Sequence, residues 1–440
     1  MDRLWNMGVR LATDGVAKGA VTSLAIKVSG SALAIVMFTL AARFMGPERF
    51  GHFAVLFNLM SFLAVVSVLG QDTLIVRSWT EYVATGEHGL ARGAYRFGWV
   101  TAIISSLCVI VFLVIAAFFN LVVVDGVTLL ACAFFLLCQT MLHFSSHSSR
   151  TIAGFLISET TRELVWRILV ILAMLIGFAS GYDIMAWMLF FSSGIGMLVG
   201  VAIQSRRVAQ VFPDEVRMAL PQSQRGQWFR RVAGMWPSAI LEAASQYIDV
   251  ILIGLLVTPT SAGGYFVAAR IANVFSMISS GTMSYVSPRI GTLFFSGRHA
   301  ELQQLFNKLM IIIGTMIVLL CSLIVFFGHQ ILQIFGASYA SEYMTLLVLA
   351  IGAGIANLTG PTGAVLLTTG HELTYSRFSF YGLATRLVLF FIFVPVYGSL
   401  GAAIAWTLAT VPVAVALVLM SRRELGLDPS VFGLLRASRH

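Results

Sequence analysis

Long apolar segments separated by short polar loops occupy most of the chain. Each is long enough to cross about 30 Å of hydrocarbon as an α-helix, which takes roughly 20 residues. In the first half these segments cover 21–42, 51–76, 97–119, 127–144, 164–180 and 184–203. In the second half they cover 232–257, 262–286, 309–327, 343–367, 378–396 and 400–420. The pattern predicts an all-α integral membrane protein with about 12 transmembrane helices.

The two halves of the chain match each other after a shift of 212 residues, which aligns Pro47 with Pro259, Gly51 with Gly263, and Arg77 with Arg289. Because about six helices return the chain to the same side, the repeat is parallel, with a pseudo-two-fold axis along the membrane normal. We predict a six-helix lobe at 1–203, a cytoplasmic connector at 204–231 and a second six-helix lobe at 232–440. Two such lobes facing each other would enclose a central cavity.

Positive charges lie almost entirely on alternate loops. The connector alone holds six arginines, whereas the loops of the opposite side hold only Arg43 and Arg49. The loops rich in arginine and lysine normally face the cytoplasm. We therefore predict that both ends of the chain are cytoplasmic.

Composition agrees with a membrane protein, since 58% of the residues are hydrophobic and only 11% are charged. The formal net charge of +9 would raise the question of nucleic acid in a soluble chain. Here the basic residues are spread over short loops, so membrane topology explains them and no nucleic-acid partner is predicted. The four cysteines lie in apolar segments without paired spacing, which indicates neither a disulfide nor a metal site.

Charged residues inside the apolar segments are the strongest candidates for function, because each costs about 3 kcal/mol at the centre of a membrane helix on insertion scales. Cations outnumber carboxylates among them: Lys27 lies in the first segment, Glu242 and Asp249 in the seventh, Arg270 in the eighth and Arg386 in the eleventh.

The seventh segment carries Glu242, Gln246 and Asp249 at helical spacing, which forms one polar stripe on an otherwise apolar helix. Such a stripe must face protein or a water-filled cavity. The two carboxylates could bind a coupling proton or sodium ion, because desolvation of a carboxylate favours proton binding. They could equally neutralise buried cations, and the pattern does not choose between these roles.

On the eighth segment Arg270 and Asn273 share one face, and Asn58 occupies the position equivalent to Arg270 in the first half. Arg270 could form a structural salt bridge with Asp249. Alternatively, Lys27, Arg270 and Arg386 could line a cationic cavity that binds an anionic substrate group, since arginine suits bidentate contact with phosphate. Lys27 is the weakest candidate, because a lysine near a helix start can extend to the interface.

Motifs of catalysis and metal binding are missing from the sequence. His143 and His147 have the spacing of a metal pair, but no carboxylate or cysteine is adjacent, so no metal is predicted. No phosphate-binding glycine loop and no nucleophile with its base occur either. We therefore expect a protein that is not an enzyme and has no cofactor beyond a coupling H⁺ or Na⁺.

The loop between the first two segments, ARFMGPERFG at 42–51, resembles the linker of polysaccharide-type flippases in the multidrug, oligosaccharidyl-lipid and polysaccharide exporter superfamily. YID at 247–249 and GYFVAAR at 264–270 look like the second-half version of the same region. The resemblance covers essentially the whole chain. It implies a V-shaped arrangement in which the first, second, seventh and eighth helices gate the central cavity, with Lys27, Asp249 and Arg270 on gating helices.

The resemblance also implies a function. Such flippases move polyprenyl-pyrophosphate-linked oligosaccharide repeat units across the bacterial inner membrane by alternating access, for exopolysaccharide synthesis. The expected partners are this substrate, membrane lipids and other membrane proteins of polysaccharide assembly. Peptidoglycan-precursor flippases usually have two more helices than we predict, so that substrate is disfavoured.

Two other classes stay in consideration. Cation-coupled multidrug exporters of the superfamily share the predicted architecture, but their usual cationic substrates fit poorly beside Arg270 and Arg386. An intramembrane glycosyltransferase or polymerase would normally show a large external loop with catalytic residues, and the external loops here are short.

Overall fold

The structure is a computed structural model that describes residues 2–119, 124–277 and 290–437. Within these ranges the chain is almost wholly helical and contains no strand. The helices are α1 (Asp2–Met45), α2 (Pro47–Val68), α3 (Gln71–Ala84), α4 (His88–Phe118), α5 (Gly126–Ile152), α6 (Phe155–Thr160), α7 (Trp166–Ala179), α8 (Ala186–Val211), α9 (Asp214–Met218), α10 (Arg225–Leu256), α11 (Pro259–Ala272), α12 (His299–Gln333), α13 (Tyr343–Asn357), α14 (Thr362–Thr368), α15 (Glu372–Leu425) and α16 (Val431–Ala437). The predicted all-α class is confirmed.

Nine helical stretches among the described residues are long and apolar enough to cross a membrane. Eight correspond to the predicted first to fourth, sixth, seventh, ninth and tenth segments, and α15 covers the eleventh and twelfth. The predicted fifth segment is helical too, because α6 continues through a π-helical stretch, Thr161–Val165, into α7. Of the predicted eighth segment the structure shows α11, whereas residues 278–286 and Arg289 lie outside the described residues.

α15 is two antiparallel helices rather than one. A straight helix of its 54 residues would be about 81 Å long, far more than a bilayer needs. At Gly398 the backbone takes φ 56° and ψ −131°, values that only glycine adopts readily. A Cβ atom placed on Gly401 would lie 2.3 Å from the carbonyl oxygen of Phe393, so the chain folds back on itself here. The two predicted segments are therefore separate crossings joined by a tight turn.

The starts of α2 and α11 agree with the internal repeat. Both helices begin with a proline, Pro47 and Pro259, at the first helical turn, where the missing N–H group has no partner to lose. At α11 the Thr258 side chain caps the helix by accepting a hydrogen bond from the Ser261 N–H at 3.1 Å. The aligned prolines thus mark equivalent helix starts.

The chain forms two compact units. The N-terminal unit is Ala25–Leu252, and the C-terminal unit is Met1–Leu24 together with Ile253–His440. Most of α10 therefore belongs with the first half, although the sequence repeat would begin the second lobe at residue 232. The predicted lobes, 1–203 and 232–440, divide the chain by its sequence repeat and not by its contacts, so their boundaries stay a prediction.

Polar and aromatic contacts explain why α10 joins the N-terminal unit. The fully buried Trp228 donates its indole N–H to the Tyr82 hydroxyl at 3.0 Å. Arg231 binds both oxygens of Glu81, at 2.7 and 3.1 Å, in the bidentate geometry that arginine favours. Trp236 adds a hydrogen bond to the Val66 carbonyl at 3.2 Å. These contacts hold the start of α10 against α2 and α3.

A polar node centres on Gln204 in the N-terminal unit. Its side chain is fully buried, and its amide nitrogen lies 2.6 Å from the Thr161 hydroxyl and 3.1 Å from the Ser146 hydroxyl. It thereby joins α8 to α5 and to the π-helical stretch. A π-helical stretch inside a helix is rare and often marks a functional region.

The C-terminal unit has a comparable polar junction at Glu342. One carboxylate oxygen accepts hydrogen bonds from Thr345 at 2.8 Å and Ser399 at 2.7 Å. Ser399 follows the turning residue Gly398, so Glu342 secures the turn within α15. Farther along, Arg422 pairs with Asp428 at 2.6 Å and fixes the chain after α15.

The connector lies directly on the first turns of α4. Arg92 donates to the carbonyl oxygens of Arg217 at 2.5 Å and Ala219 at 2.8 Å. The Gln222 N–H donates to the Gly89 carbonyl at 2.9 Å. A Cβ atom on Gly93 would lie only 1.7 Å from the Gln222 carbonyl oxygen, so no larger residue fits at this position.

We predict that Gly93→Ala displaces the connector and lowers stability by about 1–3 kcal/mol, the usual cost of overpacking. Thermal unfolding of the purified protein in detergent measures this. Gly234→Ala is the matched control, because a Cβ atom on Gly234 meets nothing within 4 Å. Equal melting temperatures of the two variants would contradict the close approach of connector and α4.

Candidate functional sites

Three predicted site residues lie in the C-terminal unit. Arg270, on α11, is half-buried, and its guanidinium lies 4.8 Å from the centre of the Phe266 ring. Asn273 is the C-cap residue of α11, and its side chain is exposed. Its backbone carbonyl accepts a hydrogen bond from the Ser276 hydroxyl at 2.6 Å. Arg386, on α15, is only 7% exposed. A cation is therefore buried within an apolar helix, as the sequence predicted.

The other predicted site residues lie in the N-terminal unit. On α10 the polar stripe is divided, because Glu242 is exposed whereas Asp249 is only 3% exposed. Lys27 on α1 is exposed, and its charge acts on the Glu163 carboxylate. Asn58 on α2 is buried and donates to the Ala54 carbonyl at 2.7 Å.

Asn58 and Arg270 use equivalent local geometry. Each side chain turns back onto the residue four positions earlier in its helix, Ala54 for Asn58 and Phe266 for Arg270. The repeat therefore holds a neutral amide in one unit where the other holds a cation.

A charge that the sequence analysis did not pair is accounted for locally. Arg167, in the fifth segment, donates to the Glu163 carboxylate at 2.8 Å. Its guanidinium also lies 4.8 Å from the centre of the Trp166 ring. Because Glu163 is one helical turn before Arg167, the spacing alone could have indicated this ion pair.

The predicted cationic cavity draws on residues from both units. A shared cavity and an Asp249–Arg270 ion pair both involve residues of two units, and both stay predictions. The roles of Lys27, Asn58, Glu242, Asp249, Arg270, Asn273 and Arg386 accordingly stay predictions.

A groove within the N-terminal unit, here called the α4 groove, has a volume of about 910 Å³. On α4 it extends from Gly93 to Phe112, a distance of about 28 Å at 1.5 Å per residue. Residues 221–223 and the aromatic side chains Trp228, Phe229 and Trp236 form further walls. Its length is close to the thickness of the bilayer hydrocarbon, about 30 Å.

The α4 groove is apolar along its length and cationic at one end. Its apolar lining on α4 includes Phe97, Val100, Ile104 and Phe112. Phe112, at the far end, is 77% exposed. Arg96 and Arg225 line the groove near the connector. This polarity matches a lipid that has an anionic headgroup and a long apolar tail.

A second, smaller cavity lies beside the cationic end of the groove. This connector pocket has a volume of about 380 Å³, and its lining includes Tyr95 and three arginines, Arg92, Arg96 and Arg217. Arg92 and Arg217 also bind carbonyl oxygens. Arg96 forms no ion pair or hydrogen bond with any residue in the described ranges, and it lines both cavities.

In the sequence, Arg92, Arg96 and Arg217 belong to the basic loops and indicate topology only. Nothing in their spacing indicates a common pocket, because α4 and the connector are about 120 residues apart in the chain. The tertiary structure alone brings them together.

The structure also places Asp72 beside the histidine pair of α5. Ligand atoms of Asp72, His143 and His147 all lie within 4.8 Å of one another. The sequence predicted no metal because no carboxylate is adjacent to the two histidines in the chain. That premise is wrong in the folded protein, because Asp72 lies beside them.

Comparisons with known sequences support a family. The sequence profile described as polysaccharide biosynthesis protein matches residues 16–294, which is more than half of the chain. A second profile, described as MatE, matches residues 237–392. No curated protein matches the chain.

Solved structures of low sequence identity share the fold. An inward-facing multidrug resistance MATE family transporter of the MOP superfamily matches with a TM-score of 0.71 and 14% identity, over 92% of this chain and 98% of that one. A Vibrio cholerae MATE transporter in the bent form matches with a TM-score of 0.63 and 16% identity, over 94% of this chain and 98% of that one. A MOP superfamily transporter from Pyrococcus furiosus matches with a TM-score of 0.65 and 14% identity, over 93% of this chain and 95% of that one. The reversed polarity of the binding pocket in that protein suggests a different function for it.

The fold is that of a multi-pass helical membrane protein, and it is shared with solved MATE transporters. Within that class the chain belongs to the polysaccharide biosynthesis protein family.

Proposed function

We propose that this protein is a transporter that moves polyprenyl-pyrophosphate-linked oligosaccharide repeat units from the cytoplasmic to the periplasmic leaflet of the bacterial inner membrane. The observation that carries the proposal is the pair of neighbouring cavities that share Arg96 as a lining residue. A substrate of this class has a pyrophosphate for the arginines and a long apolar tail for the α4 groove. Membership in the polysaccharide biosynthesis protein family supports the same substrate class.

The chemistry of the headgroup suits the arginines. Pyrophosphate carries several negative oxygens, and a guanidinium can bind two of them through parallel hydrogen bonds. Arg96 is available for this contact, whereas Arg92 and Arg217 are held in place by the connector. The pocket would thus hold the headgroup at the cytoplasmic side while the tail stays against α4.

Arg386 and Arg270 suit the later part of transport. Both are cations on apolar helices of the C-terminal unit, and burial strengthens the electrostatic attraction between such a cation and an anion. In this proposal they bind the pyrophosphate during translocation, and Asp249 binds a coupling ion. Both ends of the chain lie in the cytoplasm, as the distribution of arginines favours.

Reconstitution tests the function directly. Proteoliposomes with the purified protein and a fluorescent polyprenyl-pyrophosphate-linked oligosaccharide should show leaflet transfer, measured by quenching with an impermeant reductant. Protein-free liposomes are the control. Transfer no faster than in protein-free liposomes would reject the substrate class.

The α4 groove gives a sharper test of substrate binding. We predict that Arg96→Gln weakens binding of polyprenyl pyrophosphate about tenfold or more, since a hydrogen bond to a charged group contributes roughly 1.5–3 kcal/mol. Native mass spectrometry of the protein in detergent measures the bound lipid. Arg206→Gln is the matched control, because Arg206 is an exposed connector arginine that lines neither cavity. Equal affinities of the two variants would remove Arg96 from the binding site.

A multidrug exporter is the second candidate, because the MatE profile also matches the chain. It predicts efflux of cationic dyes that depends on Asp249 and not on Arg270. Drug susceptibility of cells expressing the Asp249→Asn and Arg270→Ala variants separates the two functions. Loss of resistance in Asp249→Asn alone would favour the exporter.

A further inference from the structure

Two histidines and an aspartate from different helices form a cluster that the transport proposal does not use. Asp72 lies in the first turn of α3, and His143 and His147 lie one turn apart on α5. The potential ligand atoms of all three residues lie within 4.8 Å of one another, and all three side chains are half-buried. Because α3 and α5 are distant in the chain, this convergence is a product of the fold.

The hydrogen bonds prepare the cluster for a metal ion. His147 Nδ1 lies 2.9 Å from the His143 carbonyl oxygen. A carbonyl can only accept, so Nδ1 carries the proton and Nε2 presents its lone pair. Metal-binding histidines typically donate their second ring N–H in this way, which orients the ring and makes it a better ligand.

The other two side chains have ligand capacity left. His143 Nδ1 is buried and has no hydrogen-bond partner among the described residues. The Asp72 Oδ1 atom accepts from the Thr73 N–H at 2.9 Å, which orients the carboxylate and leaves Oδ2 available. The two imidazole rings are nearly parallel, at 14°.

Charges of both signs act on the cluster. Arg150 and Arg162 act electrostatically on His147. Each arginine has a carboxylate partner: Arg150 pairs with Glu159, and Arg162 lies 3.9 Å from Glu163. Glu159 offsets the charge of Arg150, whereas Glu163 is shared between Arg162 and Arg167, so Asp72 is the carboxylate that favours a cation at the cluster.

We propose that Asp72, His143 and His147 bind a divalent transition metal ion, with Zn²⁺ the best match. Two imidazole nitrogens and one carboxylate oxygen form a ligand set of the kind that zinc accepts, with a fourth position left open. Ligand atoms around zinc lie roughly 3.3 Å apart at bond lengths of about 2.0–2.2 Å. Binding of the ion would require the three side chains to move closer together than their present separation.

The position of the cluster gives the ion a mechanical role. Leu69 and Gly70, between α2 and α3, both have left-handed backbone conformations, with φ 50° and 66°. Asp72 follows this break directly and joins the start of α3 to α5 through the ion. A bound ion thereby stiffens the break between the two halves of the predicted second transmembrane segment.

Titration of the full-length protein with Zn²⁺ tests the site. The protein, purified in detergent without a polyhistidine tag, is stripped with a chelator and titrated by calorimetry, and bound zinc is counted by elemental analysis. We expect about one Zn²⁺ per chain and at least about tenfold weaker binding in Asp72→Asn, His143→Gln and His147→Gln. Mg²⁺ and Ca²⁺ should not compete, because they prefer ligand sets made of oxygen.

His52→Gln is the matched control, since His52 is exposed and lies outside the cluster. It should bind zinc like the wild type. As a second readout, Zn²⁺ should raise the melting temperature of the wild type and of His52→Gln but not of Asp72→Asn, whose near-isosteric change preserves the fold. Lack of saturable binding, or the same titration in all variants, would overturn the site.

Discussion

Arg270→Ala is expected to slow leaflet transfer of the lipid-linked oligosaccharide about 10- to 100-fold. The reason is the loss of a charge-assisted hydrogen bond to pyrophosphate, which contributes roughly 1.5–3 kcal/mol, and each 1.4 kcal/mol changes the rate about tenfold. The proteoliposome assay with fluorescent substrate measures the rate. Arg270→Lys should keep part of the activity, because lysine retains the charge but not the bidentate geometry.

The melting temperature of Arg270→Ala in detergent separates a transport defect from a loss of folding. The guanidinium of Arg270 lies over the Phe266 ring, and a cation–π contact of this kind stabilises by only about 0.5–2 kcal/mol. Arg298→Ala is the matched control in the same unit, because Arg298 is exposed and pairs with Glu301 in the adjacent turn. Transfer at the wild-type rate by Arg270→Ala would exclude Arg270 from the transport step.

Arg150→Ala is expected to lower the stability of the N-terminal unit by about 3 kcal/mol. Its partner Glu159 is only 3% exposed, so the substitution leaves a buried carboxylate without its cation. Removing one partner of a buried pair costs about 3–5 kcal/mol, and the lower end applies because the Arg150 side chain is 39% exposed. The melting temperature in detergent should fall by roughly 6–12 °C for a unit of this size.

The double variant Arg150→Ala/Glu159→Gln should recover most of this loss, since the neutral amide no longer requires a cation. Arg298→Ala again serves as the control. Arg298 and Glu301 have side chains that are 57% and 52% exposed, and exposed pairs contribute about 0–1 kcal/mol. A similar melting temperature for Arg150→Ala and Arg298→Ala would show that the Arg150–Glu159 pair does not stabilise the unit.

The helices were predictable because the membrane imposes one simple rule on the backbone. Every N–H and C=O group in the hydrocarbon must find a partner within the chain, so a long apolar segment is a helix. Local exceptions were not predictable. The π-helical stretch, Thr161–Val165, contacts the buried Gln204 side chain through the Thr161 hydroxyl, and nothing in the local sequence indicates it. The reversal at Gly398, by contrast, falls between the eleventh and twelfth predicted segments.

The candidate sites divide in the same way. Arg270, Arg386 and Asp249 stand out in the sequence because a charge within an apolar segment is rare whatever surrounds it. The connector pocket and the metal cluster do not stand out. Arg96 and Asp72 have ordinary neighbours in the chain, and their partners come from other helices.

By itself the sequence determined that this protein is a bundle of transmembrane helices, with a repeat, a few charges within the helices and the motifs of its family. These properties depend on hydrophobicity, period and short motifs, which are local along the chain. Only the tertiary structure decided that most of α10 joins the N-terminal unit, that Arg96 lines two cavities, and that Asp72 meets two histidines. Contacts of that kind depend on which helix faces are packed together, and the spacing of residues within one helix does not specify the neighbour that its face will meet.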